Sequence, residues 1–176
     1  TTDVDFKSTL TRIKSGNPDF VFIPGYYEQV GLIVKQARDL GIDVPLMGAD
    51  GWDAPKLIEL AGAEALNNTY ITNHYSSGDP DQVIQDFVAA FEAEYSGQPN
   101  AFHALGYDTV YFLKDAIERA GDEVTGETIQ KALAETKDLS LITGTFTVDE
   151  QHNPVKSATV LEYVDGSQEF KAKVNP

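Results

Sequence analysis

Phe6, Leu10 and Ile13 recur at helical spacing, with Asp3 or Asp5 placed to cap the turn and Gly16-Asn17-Pro18 placed to stop it. Phe20-Val21-Phe22-Ile23 is then an apolar run short enough for a buried strand. From Glu28 the helical period returns, with Val30, Ile33, Val34, Ala37 and Leu40 on one stripe that ends at Gly41. Val44 to Met47 predicts the next strand, Ala54 to Ala61 a shorter helix after the Gly48–Asp53 loop, and Thr69 to Thr72 another β segment. This α-β-α-β-α-β alternation predicts an α/β fold with a parallel sheet and right-handed crossovers.

The register then changes. Pro80 opens a helix containing Val83, Phe87, Ala90 and Phe91 and closed by Gly97; further helices are expected over Ala101–Ala120 and Thr125–Thr136. Thr125-Gly126-Glu127-Thr128 is an approximate capping box, with Thr128 where glutamate would reach better. Three helices without an intervening strand do not continue the earlier repeat. Thr143–Val148 and Ala158–Tyr163 read as strands, and Asp165-Gly166 as a hairpin turn into Phe170-Lys171-Ala172. Ser76-Ser77-Gly78-Asp79-Pro80 is the expected hinge or boundary.

The composition is that of a globular protein, 41% hydrophobic and 23% charged over 176 residues. Thirteen basic and 28 acidic side chains leave a net charge of −15. That balance argues against nucleic acid as a partner, because a phosphate backbone needs a concentrated basic face. It argues equally against anionic membrane surfaces, and no apolar run approaches the roughly 20 residues of a membrane span. With no cysteine, disulfides, thiolate nucleophiles and cysteine-ligated zinc are excluded.

In open parallel sheets, ligands bind beyond the carboxyl ends of the strands. Two loops fall there: Gly25-Tyr26-Tyr27 and Gly48-Ala49-Asp50-Gly51-Trp52. Tyr26 and Asp50 lie about one βαβ repeat apart, which predicts one shared rim. Gly25 and Gly48 are expected to permit tight turns and close approach of a ligand. Asp50 there can pair with a cationic group, and Tyr26 offers an apolar face with a hydroxyl. The plain alternative is that Asp50-Gly51 is an ordinary turn and the tyrosines are core or surface aromatics.

These loops resemble, in order, those of periplasmic substrate-binding proteins for branched-chain amino acids. The resemblance extends from Asp5-Phe6 through Pro18-Asp19, Gln36-Ala37-Arg38-Asp39-Leu40-Gly41 and Met47–Trp52. It continues in Ala104-Leu105-Gly106-Tyr107-Asp108, Ala116–Gly121 and Gly144–Asp149. It implies a type I periplasmic binding fold, in which two three-layer α/β lobes close on an amino acid. Residues 1–73 and 156–176 would belong to the C-terminal lobe, 74–79 to a crossover, and 80–155 to the N-terminal lobe. Tyr26 would contact ligand and Asp50 would bind its α-ammonium; Gly25 and Gly48 would flank them. Asp50 stands where the leucine-binding members have glutamate, one methylene shorter, so the ligand sits deeper or its polar group differs. Trp52 is read either as a pocket wall or as a core-packed indole.

The resemblance also implies only the C-terminal half of such a protein. Strands that the helices of residues 80–140 would cover are then missing. A fragment of this kind is expected to self-associate or to stay bound to its N-terminal portion. The implied partners are an aliphatic amino acid and a membrane ABC permease, and the implied location is the periplasm, or the cell exterior by a lipid anchor. No cofactor or metal is expected. A ligand sensor on the same fold is an alternative, and a small α/β enzyme a weaker one. There is no Gly-x-Ser-x-Gly, no GxGxxG and no phosphate-binding glycine loop, while His74, His103 and His152 stand isolated.

Overall fold

The computed structural model describes residues 3–176; Thr1 and Thr2, the first two positions of the expected 1–73 segment, lie outside the described residues. The chain up to Asn73 forms one compact unit with Thr159–Ala172, and His74–Ala158 with Lys173–Pro176 form a second. The first contains α1 (Lys7–Ser15), β1 (Val21–Phe22), α2 (Tyr27–Asp39), β2 (Leu46–Gly48), a 3-10 turn (Asp50–Trp52), α3 (Pro55–Ala61), α4 (Ala63–Leu66) and β3 (Thr69–Asn73). The second contains α5 (Gln82–Glu94), α6 (Ala101–Ala120), α7 (Gly126–Ala134), β4 (Leu139–Leu141), β5 (Gly144–Val148) and β6 (Pro154–Val155). The chain then returns to the first sheet as β7 (Ala158–Val164) and β8 (Ser167–Val174). Among the described residues no helix is long and apolar enough to cross a membrane.

The first unit is built on a sheet of order β1-β2-β3-β7-β8. β1, β2 and β3 run parallel, and β7 joins β3 antiparallel with Asn73 opposite Thr159. Because strands 1, 2 and 3 follow in sequence order, right-handed crossovers place α2 and α3 on the same face. The stripe Val30, Val34 and Ala37 buries the inner side of α2 against Leu46, Leu57 and Ile71. Each fully buried valine, leucine or isoleucine among them contributes about 1.5–3 kcal/mol. Inward positions alternate along β3 and β7, where Thr69, Ile71 and Asn73 face Tyr163, Leu161 and Thr159.

At the amino ends of the strands, Arg38 draws several loops together. Its guanidinium donates to the carbonyls of Val44 (2.9 Å), Asn67 (3.1 Å), Ala65 (3.3 Å) and Asn68 (3.3 Å), as well as to Ile42. Helix α1 starts one residue later than its Asp5 signal implies. Asp5 nevertheless accepts from the Lys7 N–H at 3.0 Å. The predicted Ala54–Ala61 helix begins at Pro55 and is followed by a separate turn, because Gly62 adopts φ 86° and breaks the axis.

In the second unit, α5 begins at Gln82 rather than Pro80, since the Asp81 carboxylate accepts from the Val83 N–H and fixes the start there. Thr128 serves in its capping box: its hydroxyl accepts from the Thr125 N–H at 2.9 Å. Helix α6 carries a box that the sequence reading passed over, in which His103 Nδ1 accepts from the Asn100 N–H. Tyr75, Ile84, Phe87, Val88, Ala101, Ala104 and Ile142 form its core. Asp108, 6% exposed, accepts from the backbone N–H groups of Ile142 (2.9 Å) and Thr143 (2.8 Å), fixing the β4–β5 hairpin to α6. Arg119 ties the same helix to the end of α7 through Ala132 O and Thr136 Oγ1. Of the apolar residues expected on the helix after Pro80, Phe87 is buried and Val83 exposed; on α6, Val110, Leu113 and Ile117 are exposed as well.

Two substitutions test this packing. A Cβ added at Gly31 would meet Leu60 Cβ at 2.6 Å, a carbon that moves only with its backbone. Gly31→Ala is therefore expected to push α2 from α3 and destabilise the first unit by about 1–3 kcal/mol, outweighing alanine's better helix propensity. Denaturant titration measures it; an unchanged or raised midpoint contradicts the close approach. Asp108→Ala leaves two buried amide donors unpaired and should cost about 1–3 kcal/mol for each. Unfolding of the second unit, followed by circular dichroism, should shift accordingly.

Candidate functional site

The loops after β1 and β2 leave the same, carboxyl-terminal rim of the sheet and touch. Gly51 is the contact point: a Cβ there would lie 2.7 Å from the Gly25 carbonyl oxygen and 3.1 Å from Tyr26 Cδ1. Tyr26 is 64% exposed, so its ring stands against Gly51 with most of its surface in solvent. It precedes α2 in extended conformation, φ −105° and ψ 156°, which turns its side chain out of the helical register. Tyr27, the first helical residue, packs instead against the core. Asp50 opens the 3-10 turn, half-buried, and its carbonyl accepts from the Asp53 N–H at 2.9 Å.

Neither Gly25 nor Gly48 lies in the left-handed region, so the expected tight-turn role gives way to one of space. A Cβ on Gly48 would fall 2.1 Å from Trp52 Cε2 and Nε1, and one on Gly25 would crowd Val30 at 3.2 Å. The indole therefore lies directly on Gly48. Trp52 is wholly buried in the core of the first unit, and its Nε1–H donates to the Ile23 carbonyl at 3.2 Å. Of the two readings open for Trp52, the core-packed indole describes its place. Its contribution to the rim is to hold the loops, as its ring spans the ends of β1 and β2.

A polar group behind the turn was not singled out from sequence. Asp53, 5% exposed, accepts from Asn73 Nδ2 (3.1 Å) and Gln168 Nε2 (2.7 Å). Gln168 Nε2 also donates to the Tyr163 hydroxyl (2.8 Å), which in turn donates to the Trp52 carbonyl (3.4 Å). Burial pushes the Tyr163 phenol well above its ordinary range, so it stays protonated and able to donate. The one signal available was Asp53 itself, a carboxylate directly after a glycine-rich loop.

Polar groups elsewhere in the chain are structural. Asp149 accepts from the N–H groups of Asn153 (2.8 Å) and Gln151 (2.9 Å), a polar turn before Pro154; those backbone donors hold its carboxyl below the ordinary carboxylate range. A concavity of the second unit borders Asp108 and Lys156, but Asp108 holds the Ile142 and Thr143 amides and Lys156 donates to Thr143 Oγ1 at 2.6 Å. Among the described residues no cluster of three or more histidine, cysteine or acidic side chains suits a metal ion.

Comparison with known proteins places this geometry in context. The chain is 31% identical over 149 residues to the Leu/Ile/Val-binding protein BraC3 of Rhizobium johnstonii, covering 84% of this chain and 40% of that protein. It is similar to the crystal structure of the leucine-binding protein LivK from Thermotoga maritima, with TM-score 0.90 and 38% identity over 99% of this chain and 50% of that one. It also resembles LivJ of Streptococcus pneumoniae, a branched-chain amino acid transporter substrate-binding protein solved with isoleucine. That match has TM-score 0.87 and 34% identity, covering all of this chain and 50% of that one. The chain thus spans about 40% of the length of the curated relatives it matches and half of the solved ones. Its α/β architecture is that of the type I periplasmic binding lobes. With the family profile described as "periplasmic binding protein" matching residues 1–168, the chain belongs to the periplasmic binding protein family.

Proposed function

We propose that the chain supplies part of a solute-binding receptor that captures an aliphatic amino acid between two lobes. Residues 1–73 and 156–176 form its C-terminal lobe, and residues 80–155 belong to its N-terminal lobe. Asp50 takes the ligand's ammonium; Tyr26 packs on the ligand and lends its hydroxyl. A ligand that touches both lobes only when they are closed shifts the open–closed balance by those extra contacts. The closed form then docks on a membrane ABC permease, in the periplasm or at the outer face of a cell with a lipid anchor.

The observation that carries this reading is the contact of the two loops at Gly51, which sets the exposed Tyr26 ring beside the turn that opens with Asp50. A carboxylate and an aromatic face on the carboxyl rim of a parallel sheet suit a primary ammonium carried on an apolar body. The relatives named as Leu/Ile/Val-binding proteins, and the isoleucine complex of LivJ, support the ligand class. The family's character as binding proteins supports a non-enzymatic role.

Calorimetry with L-leucine, on a receptor carrying both lobes, tests it. Removing one partner of a buried charge pair costs about 2–5 kcal/mol, so Asp50→Ala is expected to weaken binding by roughly 30-fold or more. Unchanged affinity would remove Asp50 from the site. Tyr26→Phe should cost only about 0.5–1.5 kcal/mol for one neutral hydrogen bond. Tyr26→Ala should cost clearly more through lost packing. Tyr27→Ala, which removes a core contact, should lower the melting temperature and leave the affinity of the folded protein unaltered.

A further inference from the structure

We infer that Asp53 is a positioning residue for the binding turn, the centre of a buried polar clamp that fixes where Asp50 stands. This inference rests on the assignment of Asp50 to the ammonium. The 3-10 turn Asp50–Trp52 is only three residues long and has no side-chain cap of its own. Its shape is imposed from behind. Asp53 donates its N–H to the Asp50 carbonyl, while its carboxylate is gripped by Asn73 from the last position of β3 and by Gln168 from β8. Tyr163, from β7, holds the Trp52 carbonyl. Three strands of the sheet thus converge on the two residues at the turn's end.

A buried carboxylate is expensive unless its oxygens are satisfied, and here neutral amides from two strands contribute to that. The Asp53 backbone therefore has one low-energy place, and Asp50, three residues earlier in a hydrogen-bonded turn, inherits it. Asn73 adds a second consequence. The chain leaves the first unit immediately after it, and its ladder partner Thr159 is where the chain re-enters. The clamp therefore joins the binding turn to the strand ends at which the chain crosses between units.

The test uses a receptor carrying both lobes, with L-leucine as probe and Asp50→Ala as control. Asp53→Ala should weaken leucine binding by about tenfold, the loss of one to two hydrogen bonds' worth of positioning. Asp53→Asn, which keeps an acceptor for Gln168 and can pair with a flipped Asn73 amide, should restore most of it, a rescue that a mere change in bulk would not give. In ligand-free protein, amide exchange over residues 48–53 should quicken in Asp53→Ala while exchange in α5 is unaltered. Should Asp53→Ala fail to fold, Asn73→Ala and Gln168→Ala each open one side of the clamp and carry the same expectations. Wild-type affinity and exchange in these variants, with Asp50→Ala impaired, would overturn the inference. Faster exchange at the turn with no loss of leucine in any variant, Asp50→Ala included, would instead overturn the assignment of Asp50.

Discussion

The indole of Trp52 lies flat on Gly48, and the carboxyl rim of the first unit is arranged around it. A tryptophan buried to 0% exposure removes a large apolar surface from water, but it brings an N–H that must find an acceptor. That acceptor is the Ile23 carbonyl, the last before Pro24 turns the chain away from the sheet. One side chain therefore fixes the end of β1, the end of β2 and the turn between β2 and α3. The space it occupies is the space of a missing Cβ at Gly48. The loops that carry Tyr26 and Asp50 meet at Gly51 because both are fastened to the same ring system.

The second unit solves the same problem by other means. Its hairpin of β4 and β5 packs Ile142 and Phe146 inward, and a buried carboxylate holds its tip: Asp108 accepts from two successive amides there. Both units thus place one acidic side chain where loop backbone needs acceptors or anchors, Asp108 in one and Asp53 in the other. In each, neutral donors contribute to holding the carboxylate: two backbone amides at Asp108, and the Asn73 and Gln168 side-chain amides at Asp53.

How far the sequence reveals this depends on the range of each interaction. The stripe of Val30, Val34 and Ala37 made α2 readable, because its burial follows from period alone. The shared rim of Tyr26 and Asp50 was readable too, from the length of one βαβ repeat. β4 and β6 were not, since Leu139-Ser140-Leu141 and Pro154-Val155 are too short for any periodic signal. β1 came out shorter than its apolar run because it is an edge strand that pairs only where the three-residue β2 offers partners. The clamp on Asp53 escaped altogether. Its donors come from Asn73 and Gln168, and only the pairing of β3 with β7 and the turn at Asp165-Gly166 bring them to one place. Nothing local in any of these residues announces the others.

The insertion of the second unit between β3 and β7 also has a consequence for synthesis. When β3 leaves the ribosome, its antiparallel partner lies beyond the second unit, so one strand edge waits with open amides while another compact unit is made. Pairings of such sequence separation form slowly, and unpaired edges are templates for intermolecular β association. The first unit is therefore the part of this chain most exposed to aggregation during biogenesis, and its sheet closes only when the last strands emerge.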